Sequence, residues 1–288
     1  MRVTVIGGTG QLGRDVASAF AAENHSVTSL THEEIEISSL ESVRASLAAV
    51  RPEIIVNTAA FHHVEKCETE PALAFTVNGI GARNVAQIAN ESGSTLLHIS
   101  TDYVFDGRKN APYIEEDAPA PLNVYGNTKL SGEYFVRSTT PRHFVVRVSA
   151  IYGEYACRAK GGLNFVELML KLSREREELR VVDDEFVSPT PTVQIARQLV
   201  SLSQSLDYGL YHATCEGSCS WFEFASAIFE LTRTKIRLER ARPGEFPAKV
   251  PRPKFSVLEN RALKSKSLNV FTDWKDGLKN YLALRGQL

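Results

Sequence analysis

Short apolar runs alternate with amphipathic stretches from the first residues of the chain. "RVTVIGG" is a strand-length apolar run ending in glycines, and "QLGRDVASAFAAE" sets Leu12, Val16, Ala19 and Phe20 on one helical face. "HSVTSL" predicts a second strand and "SLESVRASLAAV" a second helix, with Ser38 or Ser39 placed to cap it. "PEIIVNTAA" reads as an apolar third strand, "PALAFTVNGIGARNVAQIANES" as one long helix, "TLLHIS" as a fourth strand and "HFVVRVSAIYG" as a fifth. Near-continuous apolar strands separated by helices imply a parallel sheet covered on both faces. The expected class is α/β: a Rossmann-type doubly wound parallel sheet over residues 1–150.

Past residue 150 the alternation loosens. "LNFVELMLKLSREREEL" is a helix whose terminal charge run suits a solvated face. Short strands "LRVVDD" and "GLYHAT" alternate with the helical "TVQIARQLVSLSQSL" and "SWFEFASAIFELT", and the proline-rich "RPGEFPAKVPRPKFSVL" reads as an ordered surface loop. Residues 151–288 are therefore expected to form mainly a smaller C-terminal substrate-binding lobe, interdigitated with the first half.

Composition narrows the function classes. With 288 residues, 43% hydrophobic and 23% charged, the chain can bury a sizeable core as an ordinary soluble protein. A formal charge of −1 gives no general attraction to nucleic acid or to anionic membranes. No apolar run is long enough to span a bilayer, and "MRVTVIGG" enters a strand directly with no signal-peptide pattern. The four scattered cysteines suit a reducing compartment, so the expected location is cytoplasmic. His212, Cys215 and Cys219 lie close together in sequence, but no fourth ligand completes a recognisable set, and no metal is expected.

Candidate chemistry gathers at three places. In "VTVIGGTGQLG" two glycine registers fit, Gly7-x-x-Gly10-x-x-Gly13 and Gly8-x-Gly10-x-x-Gly13, between a strand and a helix. Small residues there let the backbone approach a pyrophosphate, and the helix start supplies free N–H groups and partial positive charge. At the end of the second strand neither Leu30 nor Thr31 supplies the acid or arginine that would choose between NAD and NADP, so NADPH or NADH both remain open. Thr101 ends the fourth strand, and Tyr125 and Lys129 follow at i and i+4 on one helical face. A ketone that accepts hydride needs a proton donor at its oxygen. A free tyrosine, with a pKa near ~10, is a poor exchanger at neutral pH, and a neighbouring ammonium lowers that value. This reading makes Tyr125 the general acid, Lys129 its tuner and a holder of the cofactor ribose, and Thr101 the partner of the carbonyl oxygen.

The glycine motif, Thr101 and Tyr125-x-x-x-Lys129, in this order and spacing, resemble the extended short-chain dehydrogenase/reductase superfamily. "GGTGQLG", "NTAAFHHVEKCETEP", "HISTDYVFDG", "PLNVYGNTKLSGE", "REREELRVVDDEFVSPT", "SWFEFASAIFE" and "RPKFSVLENRAL" are similar to the dTDP-4-dehydrorhamnose reductase family along nearly the whole chain. The resemblance implies NAD(P)H-dependent reduction of the 4-keto group of a nucleotide-linked 6-deoxyhexose. It also implies that Gly7, Gly10, Gln11, Leu12 and Gly13 meet the pyrophosphate, that Glu36 and Ile37 flank the adenine, and that Ala59, Ala60 and Phe61 line the cofactor. Asp102 and Tyr103 would sit beside the sugar. Thr101-Asp102-Tyr103 lacks the second carboxylate of the Thr-Asp-Glu triplet in related 4,6-dehydratases, and no cysteine follows as in the epimerase-reductases that make GDP-fucose. Simple ketoreduction is thus expected, with a nucleotide sugar as partner and a homodimer as a further possibility. Ala150, Phe61 and Val187 depart from residues common in the family, as does the stretch "EYACRAKGG". They leave room for another sugar nucleotide, such as one leading to a 6-deoxy-talose. They also leave room for a non-catalytic dinucleotide-binding subunit resembling that of methionine adenosyltransferase.

Overall fold

The computed structural model describes residues 1–156, 161–242 and 244–288, so Cys157 to Lys160 of "EYACRAKGG" and Pro243 of the proline-rich loop lie outside the described residues. The first half runs β1 (Arg2–Ile6), α1 (Gln11–Ala22), β2 (Ser26–Leu30), α2 (Leu40–Val50), β3 (Ile54–Asn57), α3 (Val64–Thr69), α4 (Pro71–Phe75), α5 (Ala82–Ser92), β4 (Thr95–Thr101), α6 (Val124–Thr139) and β5 (His143–Val148). The second half adds β6 (Ile151–Tyr152), α7 (Phe165–Glu175), β7 (Glu178–Val181), β8 (Phe186–Val187), β9 (Thr190–Pro191), α8 (Thr192–Ser203), β10 (Gly209–His212), β11 (Cys219–Ser220), α9 (Trp221–Leu231), β12 (Arg237–Arg240), α10 (Arg261–Ser265) and α11 (Trp274–Leu284).

Six strands form one sheet in the order β10-β5-β4-β3-β1-β2, every neighbour parallel. The two-residue period of a strand divides its side chains between two cores. Val3, Val5, Ile54, Val56, Leu97, Phe144 and Val146 join the side covered by α1 and α8. Ile6, Ile55, Leu96 and Val145 join Val43, Leu47, Val85 and Ala89 on the opposite side, from α2 and α5. The chain leaves β1 for β2 on one side and returns to β3 on the other, so the sheet changes direction between β1 and β3. A crevice opens there, beyond the carboxyl ends of the strands.

Three elements differ from the sequence expectation. The long helix expected from Pro71 to Ser92 is interrupted by a π segment, Thr76–Gly81, which turns Asn78 into the protein. Such bulges concentrate at functional sites. Gly81 makes this one feasible, because a Cβ there would lie 2.9 Å from Ile37 Cδ1. The fifth strand stops at Val148; Ala150 takes a left-handed φ of 44°, and β6 departs to pair with β9. "GLYHAT" becomes β10 and enters the main sheet beside β5, so the second half completes the first. Among the described residues no helix is long and apolar enough to cross a membrane.

Candidate active site

Beyond β1 the glycines form a tight turn. Gly7, at φ 79°, donates its N–H to Leu30 O at 2.9 Å, and Gly10 N–H returns to Gly7 O at 2.9 Å. A Cβ on Gly13 would lie 2.3 Å from Gly7 O, and one on Gly8 would lie 2.5 Å from Ser29 Cβ. Both glycine registers are therefore used. Gly7 supplies the left-handed bend, Gly8 the contact with β2, and Gly13 the close approach of helix to turn. The first intrahelical bond of α1 is Arg14 N–H to Gly10 O at 3.1 Å. The N–H groups of Gln11 and Leu12 thus precede the ladder at the positive end of the helix. The Gln11 side chain turns away, donating to Tyr155 O at 3.0 Å, and Leu12 is buried in the core. A backbone cradle that any added Cβ would fill fits a pyrophosphate.

The second wall is built around Asn78. Its Oδ1 accepts from Phe61 N–H at 2.8 Å, and its Nδ2 donates to Phe61 O at 2.9 Å and to Thr128 Oγ1 at 2.9 Å. The π segment thus clamps the stretch Ala59, Ala60, Phe61 to α6, and all three residues stay partly open toward the crevice. Ile37 packs into the core against Gly81, while Glu36 turns back to accept from Ser38 N–H at 2.9 Å. Of this pair only Glu36 retains partial exposure.

Thr101, Tyr125 and Lys129 come together where β4 meets α6. Asn123 caps α6, accepting from Gly126 N–H at 2.8 Å; a Cβ at Gly126 would lie 2.2 Å from Tyr103 O, so the helix start presses on the turn after Thr101. The Thr101 hydroxyl lies close enough to act on the Tyr125 phenol, whose ring meets the Tyr103 ring edge-on at 5.8 Å between centroids. Burial pushes the Tyr125 phenol well above its usual range, opposed by the Thr101 hydrogen bond. Asp102, Tyr103 and Cys67 also act upward, and the lowering expected from Lys129 is not among the influences on this phenol. The phenol is held protonated, the form a reductase needs in its acid.

Burial also pushes the Lys129 ammonium down to about 8, against the upward pull of Glu133 one turn along. Among the described residues Lys129 has no hydrogen-bond or ion-pair partner, since Glu133 is taken by Arg147 through contacts of 2.9 and 2.7 Å. A lysine is charged below its pKa, and ribose hydroxyls accept from the charged form. NADPH affinity of the free protein is therefore expected to weaken about tenfold as pH rises through about 8. Fluorescence titration across that range checks it, with Lys129→Met removing the trend; an affinity that stays constant through that rise would exclude Lys129 from cofactor binding.

Asp102 follows Thr101 into the interior. It is 4% exposed; Oδ1 accepts from Thr101 Oγ1 at 3.0 Å, and Oδ2 accepts from Ser149 Oγ at 2.8 Å and Ser256 Oγ at 2.6 Å. The carboxylate faces inward, toward these three hydroxyls. Tyr103 lies nearer the second half: burial and Asp102 raise its phenol to about 12, and the charges of Arg252 and Glu185 reach it. Those two residues line a cavity of about 430 Å³ that also holds Arg240, Arg242, Phe246 and Lys254. A larger cavity, about 850 Å³, lies at the opposite end of the sheet. Its Arg2 and Arg142 donate to Arg51 O and Gly93 O, closing helix ends, so we place the chemistry at the crevice.

Sequence reasoning missed Asn78, Ser149, Ser256 and the pair Glu133–Arg147. The pair left a signal: an arginine inside the apolar run "HFVVRV", and a glutamate four residues after Lys129. His212 Nδ1 donates to Tyr113 O and Glu259 O (3.1 Å each), and Cys215 and Cys219 are buried free thiols. No cluster of three metal-capable residues occurs among the described residues.

A switch-point crevice, a glycine cradle and a Thr-Tyr-Lys set define a nicotinamide-dependent reductase of the extended short-chain type. The family model described as RmlD substrate binding domain matches residues 1–285, and the chain belongs to that family. It is 39% identical over 284 residues to the spore coat polysaccharide biosynthesis protein SpsK of Bacillus subtilis, covering 99% of this chain and 98% of that one. It is 34% identical to the dTDP-4-dehydrorhamnose reductase of Escherichia coli, covering 98% and 97%. The crystal structure of dTDP-4-dehydrorhamnose reductase from Bacillus anthracis in complex with NADP superposes with a TM-score of 0.93 at 36% identity, covering 98% and 99%.

Proposed function

We propose that this chain reduces the 4-keto group of dTDP-4-dehydro-L-rhamnose to give dTDP-L-rhamnose, using NADPH or NADH in the cytoplasm. The observation that carries the reading is Tyr125 facing Thr101 at the end of β4, two strands from the glycine turn, on the same helix as a Lys129 that has no hydrogen-bond or ion-pair partner among the described residues. Gly7, Gly10 and Gly13, with the N–H groups of Gln11 and Leu12, would hold the cofactor pyrophosphate, and Lys129 its ribose. When bound, the reduced cofactor supplies hydride to C4 of the sugar.

The chain's own residues do the rest. Tyr125 gives its proton to the ketone oxygen, so the C=O becomes CH–OH and a phenolate remains, to be reprotonated from water. The Lys129 cation stabilises that phenolate as it forms. In the 430 Å³ cavity Arg240 and Lys254 pair with Asp183 and Asp184, so Arg242 and Arg252 are the cations that suit the diphosphate of the sugar nucleotide, and Phe246 offers an apolar surface to its base. The Thr101–Tyr125 pair favours an enzyme over a non-catalytic binding subunit, because cofactor binding alone has no use for a proton donor there. The expected result is loss of reduced-nicotinamide absorbance when dTDP-4-dehydro-L-rhamnose is added, with the rhamno configuration at C4 by NMR. No absorbance loss overturns the reading, and the opposite configuration reassigns the product.

A further inference from the structure

We infer that Glu34 selects between the two cofactors: its carboxylate stands at the end of β2, where Leu30 and Thr31 supply no acid, and there it accepts the adenosine ribose 2′-hydroxyl of NADH and repels the 2′-phosphate of NADPH. This rests on the reading of the crevice as a nicotinamide-cofactor site. In a dinucleotide fold the ribose 2′ position falls at the end of the second strand, about twenty residues past the glycine turn, and an acid there favours the unphosphorylated cofactor. After Leu30 the chain folds straight back on itself. Glu34 N–H donates to Thr31 O at 3.1 Å, and Glu34 Oε2 accepts from Thr31 N–H at 2.8 Å. This reciprocal pair brings a carboxylate from three residues further on back to the strand end. Leu30 O accepts from Gly7 N–H at 2.9 Å and from Gly8 N–H at 3.3 Å, so the strand end that bears the carboxylate is bonded directly to the glycine turn.

The hydrogen bond from Thr31 holds the Glu34 carboxyl below its usual range, and the side chain is exposed, so it is an anion open to a ligand. A carboxylate has about four acceptor sites, which leaves room for a ribose hydroxyl beside Thr31. The surrounding charges act in the same direction. From Leu30 to Leu40 the sequence holds Glu33, Glu34 and Glu36 and no lysine or arginine. His32 stands 3.5 Å from Glu36 Oε2, and Glu36 Oε1 accepts from Ser38 N–H at 2.9 Å and Ser38 Oγ at 2.8 Å. The imidazole therefore faces a carboxylate of its own loop. The glycine turn, Gly7 to Gly13, carries no lysine or arginine either. The flanking cations are engaged elsewhere: Arg14 lies 5.0 Å over the Tyr155 ring, and Arg44 forks onto Glu91. A 2′-phosphate brought to this strand end meets the carboxylates of Glu33, Glu34 and Glu36, whereas a 2′-hydroxyl meets a ready acceptor.

Fluorescence titration of the free protein with NADH and with NADPH, in the absence of sugar nucleotide, tests the assignment. The expected result is NADH bound about five- to tenfold more tightly than NADPH at neutral pH. Glu34→Gln keeps an amide oxygen that can accept from Thr31 N–H, so the turn persists while the charge is lost. This variant is expected to bind NADH more weakly and NADPH more tightly, until the two differ by less than about twofold. Glu33→Gln removes an equal charge from the same loop, at a residue with no bond to Thr31, and is expected to leave the wild-type preference within about twofold. Wild-type protein that binds NADPH as tightly as NADH, or more tightly, overturns the proposal. A preference that survives Glu34→Gln overturns it too, as does one that falls equally in Glu33→Gln, which assigns the effect to overall loop charge. The two readings fail separately. If neither cofactor binds, the cofactor reading falls and this inference with it; if both bind with equal strength, only the selection by Glu34 falls and the 4-keto reduction stands.

Discussion

Tyr125→Phe is expected to lower kcat by about 10²- to 10⁴-fold, the range that general acids contribute, while NADPH still binds. Phenylalanine keeps the ring edge against Tyr103 and the packing at the start of α6, so the variant removes only the hydroxyl that faces Thr101. The groups placed at the cofactor, the glycine turn and Lys129, are untouched. Steady-state turnover with dTDP-4-dehydro-L-rhamnose and a separate NADPH titration check the two halves of the expectation. Turnover within about twofold of wild type would end the case for Tyr125 as proton donor.

Arg147→Met is expected to cost about 3–5 kcal/mol of stability, read from urea unfolding. Arg147 is 1% exposed within β5, forks onto Glu133 of α6 at 2.9 and 2.7 Å, and lies 5.0 Å over the Phe105 ring. Its removal strands the Glu133 carboxylate, itself fully buried, with Ser100 Oγ as the remaining donor. The double variant Glu133→Gln/Arg147→Met removes the stranded charge and is expected to regain much of the loss. An Arg147→Met protein as stable as wild type would show that the ion pair does not hold α6 to the sheet. Because α6 also carries Tyr125 and Lys129, the stability loss is expected to come with lower turnover.

The sheet was legible in the sequence because its strands are apolar on both faces and its helices keep a clean period. Val3, Val5, Ile54, Ile55 and Val56 needed no partner information to be read as buried strands. The glycine turn and the Tyr125–Lys129 spacing were legible for the same reason, since local geometry alone requires them. What escaped was nonlocal. The π segment at Thr76–Gly81 has ordinary helical residues around it, and only the call for a side-chain amide at Phe61 and Thr128 shows why the ladder slips there. The burial of Asp102 was not legible because its partners Ser149 and Ser256 are 47 and 154 residues away. Lys129 was expected to acidify Tyr125, but spacing carries no information on burial, and burial dominates both groups.

The parallel pairing of β10 with β5 has a consequence for synthesis on the ribosome. Until residues 209–212 emerge, β5 presents unpaired N–H and C=O groups along a hydrophobic border of Phe144, Val145 and Val146. An open border of this kind invites pairing with another nascent chain. The interval between translation of Val148 and of His212 is then the period in which the growing polypeptide most needs a chaperone, and in which a pause in elongation would be most harmful.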